Sequence, residues 1–391
     1  MRITWSLPAN GENLNGTRGD LVRAARLIEA LRGDGHEVRV VESVERAGAA
    51  TAVKAYRKWV RRLLPRHPAL VLRDVGRWAD ARSHGRRVAA AARAQAADLI
   101  VETQVHAGGS GAVAARLTGL PLVLDDCSPL SEAAALGLGL PALARRLFHD
   151  QVRAARWTTV SSLALRERLI REGVPSSKLR VVPNGVDTAA YAAIDRDAER
   201  RRLGLEGRCV VGFVGSFQPW HGVGLLVEAL PDLEKETSVQ VLLVGDGAGR
   251  AGALAAAERL GVSSRIRALG AVPPAEVPRL IAACDVGVLP GSNDYGHPMK
   301  LLEYAAAGIP AVAPDLAPVR EVVRDGVTGL LFPPGDRRAL SLALGRLAAD
   351  ATLRHRLGAQ AREAVAADAA WPARARAVAA LAQSDGGGIP E

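Results

Sequence analysis

The chain is poor in the residues that would mark a stapled, metal-bound or membrane-spanning protein. Its 391 residues hold three cysteines, Cys127, Cys209 and Cys284, odd in number, far apart and without a C-x-x-C spacing. A disulfide framework and the common zinc spacings are excluded, and buried thiols in a reducing cytoplasm are expected. Aromatic residues are only 4%, and no strand carries the aromatic pattern of an RNA-binding platform. No stretch reaches about 18 uninterrupted apolar residues, so no spanning helix is expected. The longest such run, Ala133 to Ala144, is broken by glycines and Pro141. The N-terminus turns polar after one short apolar segment and does not read as a secretory signal. Lysine is scarce as well: Lys54, Lys58, Lys178, Lys235 and Lys300 are the whole set. The net charge of +10 is therefore almost all arginine, in an alanine-rich chain. Genome base composition can produce that bias, so the bulk charge argues little for a nucleic-acid partner.

What is present is a two-domain grammar. A single core seldom spans more than about 250–300 residues, so this length implies two. With 48% hydrophobic and 24% charged residues the composition is globular, not disordered. An apolar strand, Arg2 to Leu7, precedes a polar loop and a periodic helix, Asp20 to Leu31, with Leu21, Ala24, Leu27, Ile28 and Leu31 on one side. Gly33 and Gly35 end that helix before a strand at Val38 to Val41. Further strands are expected at Leu99 to Glu102, Leu122 to Asp125 and Trp157 to Ser161. The second half repeats the alternation, with strands at Cys209 to Gly215, Val239 to Gly245, Ile266 to Leu269, Asp285 to Leu289, Ile309 to Ala313 and Gly329 to Phe332. Helices between them include Leu225 to Leu230, Ala251 to Leu260, Ala275 to Ala283 and Met299 to Ala307. Such alternation predicts α/β domains with doubly wound parallel sheets. The turn-rich Val182 to Asp187 marks a hinge between halves. Ligands of these sheets sit outside the carboxyl ends of the strands, which places the expected site in the cleft between domains.

Three segments could carry chemistry. Gly245-Asp246-Gly247-Ala248-Gly249 imitates a dinucleotide fingerprint, but the acidic residue expected about 20 positions later is missing. A tight strand-to-helix turn is the reading. Val214 to Gly222 also joins a strand to a helix. Gly215 there leaves room for a close ligand, and Gly222 offers free N–H groups to an anion. His221 is either a donor to that anion or a satisfied loop histidine. In Asp294 to Glu303, Pro298 is placed to start a helix on which Lys300 and Glu303 fall three apart on one face. They form either an exposed salt bridge or a ligand pair, the lysine suiting phosphate oxygens and the carboxylate ribose hydroxyls. The apolar sequence that follows favours the ligand pair.

Taken in order, Gly215 to Leu230, Gly245 to Gly249, Gly270 to Val272, Tyr295 to Gly308 and Gly326 to Phe332 resemble the C-terminal domain of family 4 (GT4) glycosyltransferases, which have the GT-B fold. Pro183 to Asp187, the Gly16 loop and Gly35-His36-Glu37-Val38 extend the resemblance to the whole chain. It implies two facing Rossmann-like domains with an interdomain cleft. Residues 1–183, with a returning C-terminal helix and tail at 371–391, would take the acceptor, and residues 184–370 the nucleotide-sugar donor. It also implies retaining, metal-independent sugar transfer in the cytoplasm, with no cofactor beyond the donor.

Matching by motif places Gly16, Gly215 and Ser216 with the donor phosphates, Val272 at the base and Glu303 on the ribose, and Gln218 of the same strand-end loop is a further donor-binding candidate. Gly296, His297, Pro298 and Met299 match the turn whose backbone N–H groups meet the donor sugar in the family, and Tyr295 beside them is a further donor-binding candidate. The chain departs from the family where its arginine and lysine clamp falls on Ser216 and His221, and where the first glutamate of E-x7-E falls on Tyr295. A P-x-K-x-x-E variant results, in which Lys300 supplies the missing charge, and Asp294 is a secondary candidate for a sugar contact. Lys300 and His221, with helix N-termini, are then expected to stabilise the leaving diphosphate. Asp126 either orients a hydroxyl or is a structural turn residue, and Asp125-Asp126-Cys127 is not read as a metal motif. The basic and aromatic stretch 54–64 is a solvated helix flank, a weak peripheral membrane contact or a site for an anionic acceptor. The acceptor class is a small hydrophilic natural product or a cell-envelope precursor, with UDP and GDP donors both open and a monomer or homodimer expected. Alternatives are a silent sugar-nucleotide binder, a GT-B epimerase and, more remotely, an NAD-linked dehydrogenase.

Overall fold

The computed structural model describes residues 1–8, 14, 18–43, 66–105, 108–126, 128–131, 139–233 and 239–383. The chain divides into two compact units, Met1–Pro183 with Trp371–Glu391, and Asn184–Ala370. The Gly16 loop, Cys127, the stretch 54–64 and the tail from Ser384 lie outside the described residues.

The first unit is built on six parallel strands: β1 (Arg2–Leu7), β2 (Glu37–Glu42), β3 (Leu99–Thr103), β4 (Leu122–Asp126), β5 (Trp157–Val160) and β6 (Leu179–Val181), in the order β2-β1-β3-β4-β5-β6. Strands covered on both faces read as continuous apolar runs, and Ile3, Trp5, Leu99, Ile100, Val101 and Leu124 are accordingly fully enclosed. Helices α1 (Gly19–Gly33), α2 (Arg66–Gln95), α3 (Ser110–Thr118), α4 (Pro141–Ala154) and α5 (Leu163–Arg171) alternate with the strands. The apolar stripe of α1, Leu21, Ala24, Leu27, Ile28 and Leu31, is buried as its period requires. Gly35, at φ +82°, reverses the chain into β2. The last helix of the chain, at Trp371–Gln383, packs with this unit, and the Trp157 indole N–H donates to the Leu381 carbonyl at 3.1 Å. The edge strand β6 is absent from the sequence reading. It has three residues lying between Pro175 and Pro183, too few to show an alternation.

The second unit holds β7 (Cys209–Val214), β8 (Val239–Val244), β9 (Ile266–Gly270), β10 (Val286–Val288), β11 (Ala311–Pro314) and β12 (Gly329–Phe332), all parallel, in the order β12-β11-β10-β7-β8-β9. Its helices are α6 (Arg196–Leu203), α7 (Val223–Ala229), α8 (Arg250–Arg259), α9 (Val277–Ala282), α10 (Met299–Ala307), α11 (Ala317–Arg320), α12 (Arg337–Ala349) and α13 (Ala351–Asp368); the Trp371–Gln383 helix is α14. Side chains of a strand alternate between faces. Val210 and Val214 of β7 thus join one core, and Val211 and Phe213 join the other. The order of the strands reverses between β7 and β10, and in the first unit between β1 and β3. Doubly wound sheets bind ligands at such switch points, outside the carboxyl ends of the strands.

Candidate functional site

At the β7/β10 switch point the helix carrying Lys300 is locked to the sheet by one buried tyrosine. The Val214 amide donates to the Tyr304 hydroxyl at 3.1 Å, and that hydroxyl donates to the Val288 carbonyl at 3.4 Å. Tyr304 is fully buried, and burial pushes its phenol pKa up. A Cβ on Gly287 would stand 2.3 Å from the Tyr304 ring, so only glycine lets α10 lie this close to β10. Tyr304 therefore sets the height and rotation of α10, and with them Lys300 and Glu303 in its first turns.

Lys300 folds back over the carboxyl end of β7. Its Nζ lies 5.7 Å from the Phe213 ring centre and 3.2 Å from His221 Nε2. A Cβ on Gly215 would come within 3.0 Å of Lys300 Cε and 3.4 Å of Nζ, and Gly215 sits at φ +147°, where side chains are rarely found. Burial pushes the ammonium pKa down from 10.5 to about 8, with half-buried Glu303 acting the other way. The nearby imidazole is anchored in turn: His221 Nδ1 is bonded to the Ser216 carbonyl. Burial first, and Lys300 second, hold the His221 pKa near 4, so the ring is neutral near pH 7. Each ring nitrogen thus has a partner within the protein, as the second of the two readings of His221 has it, and one of those partners is Lys300.

The glycine-rich turn is accounted for by packing. The Phe217 amide donates to the Asp246 carbonyl at 2.9 Å, and the Gly249 amide to the Phe217 carbonyl at 2.8 Å. A Cβ at Gly245 would fall 2.0 Å from the Gly215 carbonyl oxygen, and one at Gly247 2.9 Å from the Phe217 amide nitrogen. These glycines let the loops after β7 and β8 lie backbone to backbone, and that close packing, with no pyrophosphate involved, is reason enough for them.

The other expected residues spread around this centre. Ser216 is exposed, Gln218 half-buried at the start of a short 3-10 turn, and Val272 half-buried against one core of the unit. Tyr295 and His297 are buried, and the His297 carbonyl accepts from the Asn184 side-chain amide at 2.8 Å. Two positions of the Gly296 to Met299 turn have no amide to spare. The Gly296 amide is held by Asn293 Oδ1 at 2.6 Å, and Pro298 has no N–H. The helix-initial amides of Met299 and Lys300 remain as those with no intrahelical acceptor. Asn293 carries no signal in the sequence, because an Asx-type turn shows there only as an Asn in a loop.

The β1/β3 switch point of the first unit is also polar. Glu102 is fully buried, and its Oε2 accepts from Ser6 Oγ at 3.2 Å, from Ser110 Oγ and from the Gly111 amide at the start of α3. Burial outweighs these bonds and pushes its pKa up from 4.5 to about 7. Behind Ser6 stands His84, with Nε2 at 3.2 Å from Ser6 Oγ and Nδ1 accepting from Arg87 at 3.1 Å; burial and Arg87 hold it near 4. Asp125 is buried too, in a bidentate pair with Arg23 of α1 and a 2.6 Å bond from Thr159 Oγ1. That is a structural clamp between α1, β4 and β5. Asp126 closes β4 beside Val160; its side chain is outside the described set. Among the described residues no group of three or more His, Cys, Asp or Glu side chains is placed to hold a metal ion.

Comparison with known proteins assigns both units. Residues 208–350 match the family described as Glycosyl transferases group 1, and residues 21–190 the one described as Glycosyltransferase Family 4. The D-inositol 3-phosphate glycosyltransferase of Nocardia farcinica is 32% identical over 231 residues, 56% of this chain and 51% of that protein. The phosphatidyl-myo-inositol mannosyltransferase of Mycobacterium leprae is 36% identical over 213 residues, 53% of each chain. The chain thus spans about half the length of these curated relatives. Among solved structures, Anabaena Alr3699/HepE in complex with UDP-glucose aligns with TM-score 0.76 and 22% identity, over 98% of this chain and 99% of that one. At that identity the likeness speaks for the fold alone.

Proposed function

The chain belongs to the group 1, family 4 glycosyltransferases of GT-B fold, and from that membership we propose that it moves a sugar from a nucleoside-diphosphate-sugar to an acceptor hydroxyl with retention at the anomeric carbon. The observation that carries the proposal is Lys300: an ammonium seated over the strand-end glycine Gly215, next to a neutral imidazole. A diphosphate brought to that strand end meets the lysine and the first amides of α10 together. In the transfer, the bond from the anomeric carbon to the diphosphate oxygen breaks with its electron pair going to the diphosphate. The acceptor oxygen bonds to the same face, and its proton passes to the departing phosphate oxygen. Lys300 offsets the charge that builds on the leaving group; Glu303 takes the ribose hydroxyls and the Val272 backbone the base.

UDP and GDP donors both fit a base held through backbone. The acceptor belongs to the first unit, and a polyhydroxylated cell-envelope precursor or small hydrophilic molecule is in keeping with the inositol-derived substrates in the names of the two relatives. The proposal includes no metal. It is tested by thermal-shift and turnover measurements with UDP-, GDP-, ADP- and dTDP-sugars, with and without EDTA. The expected result is a shift and donor consumption selective for UDP or GDP and insensitive to EDTA. Binding without consumption in the presence of any tested acceptor would favour the silent binder, for which Ser216 and Tyr295 in place of charged residues argue.

A further inference from the structure

We infer that His221 is a positioning residue for Lys300, holding the ammonium in place as a neutral hydrogen-bond acceptor without itself touching the phosphate. The inference rests on the proposed donor site. It begins from the Ser216 carbonyl oxygen, which can only accept a hydrogen bond. The His221 nitrogen bonded to it, Nδ1, therefore carries the ring proton. Nε2 is left with its lone pair and accepts from Lys300 Nζ at 3.2 Å. The opposite tautomer would set two lone pairs against each other at Ser216. The doubly protonated ring would set a cation against the Lys300 ammonium. An anion-donating His221 thus requires a form of the ring that its neighbours disfavour.

The choice of acceptor has a consequence for the lysine. A carboxylate in this place would neutralise the ammonium as an ion pair. The imidazole directs one N–H and leaves the net positive charge, with two N–H groups for a phosphate. Positioning matters because lysine carries its charge on a flexible four-carbon stem. The histidine is correspondingly rigid. Its ring lies edge-on to Phe213, with centroids 6.1 Å apart, and to Trp220 at 5.9 Å. The turn beneath it is fixed by backbone packing: Gly222 is at φ +65°, where a Cβ would come within 3.0 Å of the Gly291 amide nitrogen, and a Cβ on Gly291 would stand 2.6 Å from the Trp220 carbonyl oxygen. Among the described residues, the charged and titratable groups that act on Lys300 are His221, from the loop after β7, and Glu303 on its own helix.

The test compares wild type with His221→Phe, His221→Gln, Lys300→Met and the double variant His221→Phe/Lys300→Met. Affinity for a nucleoside diphosphate and for the matching nucleoside is measured by calorimetry at several pH values. Because Phe keeps the ring but not the acceptor, His221→Phe is expected to weaken diphosphate binding roughly tenfold, the scale of one charge-assisted hydrogen bond. Nucleoside binding should be unchanged, and the alkaline limb on which diphosphate affinity falls, near pH 8 in wild type, should move. Gln offers a carbonyl oxygen to Lys300 and should restore most of the loss. In the Lys300→Met background the His221 substitution should add nothing. Additive losses would overturn the inference in favour of direct phosphate donation. Equal losses toward nucleoside and nucleoside diphosphate would reduce His221 to a loop residue. Nitrogen-15 NMR gives an independent reading: a neutral, Nδ1-protonated ring at pH 7 is expected, and an Nε2-protonated or charged ring contradicts the account. If wild type consumes no nucleotide sugar, the proposed function fails while the binding and NMR results still decide the role of His221.

Discussion

Replacing Glu102 by glutamine separates the two forces acting on the buried carboxyl of the first unit. Burial favours the neutral acid, whereas the donors from Ser6, Ser110 and the Gly111 amide favour the anion. The folded-state pKa of about 7 against the ordinary 4.5 says that burial wins. Between those values the folded protein keeps a proton that the unfolded chain has released, so stability is lost as pH rises through the window. At about 1.4 kcal/mol per pH unit, the loss between pH 5 and pH 8 amounts to roughly 2.5 kcal/mol. His84, held near 4 instead of 6.5, and buried close by, acts in the opposite sense, since its stability contribution falls as pH drops. The two offset each other in wild type, which makes the difference between proteins the informative quantity. Glutamine keeps an acceptor for the three donors but cannot titrate. Urea titrations of both proteins, read by hydrogen exchange in β1, β3 and α3, should show the variant gaining about 2–3 kcal/mol on wild type between pH 5 and pH 8. A gap that stays constant with pH would refute the reasoning and mean that the three donors keep Glu102 ionised.

Arg23→Ala leaves Asp125 buried and unpaired, and should cost the first unit about 3–5 kcal/mol in chemical denaturation. Arg23→Met with Asp125→Leu, which removes both charges, should recover most of that. Tyr304→Phe strands the buried Val214 amide and should cost about 1–3 kcal/mol, read as a lowered Tm, together with weaker nucleotide binding as α10 loosens. Gly245→Ala forces a Cβ to 2.0 Å from the Gly215 carbonyl oxygen at φ +122°. It should destabilise the second unit by at least about 2 kcal/mol and lower diphosphate affinity in the same calorimetric assay.

Much of the fold is legible because its signals are local. Apolar runs of strand length, the 3.6-residue stripe of α1 and the glycines and prolines between elements are enough to place eleven of the twelve strands among the described residues, with ends differing by at most two residues. The exception, β6, is defined by its partner β5 more than by its own three residues. The candidate site is legible where its residues fall close together in the chain, as Pro298, Lys300 and Glu303 do on one turn of helix. What was not legible joins distant parts of the chain. Val214 meets Tyr304 across 90 residues, and Ser6 meets Glu102 across 96. His221 illustrates the limit: its residue type admits donor or acceptor, and only the positions of the Ser216 carbonyl and the Lys300 ammonium decide which nitrogen carries the proton.

The central claim is that the Lys300 ammonium stabilises a leaving nucleoside diphosphate during sugar transfer. The most direct measurement is the initial rate of donor consumption with UDP- and GDP-sugars for wild type and Lys300→Met, with circular dichroism confirming equal folding. Losing one charge-assisted contact made in the transition state costs about 2–4 kcal/mol, so the variant should be roughly thirty-fold slower or more, chiefly in kcat. Turnover in Lys300→Met equal to that of wild type would contradict the account.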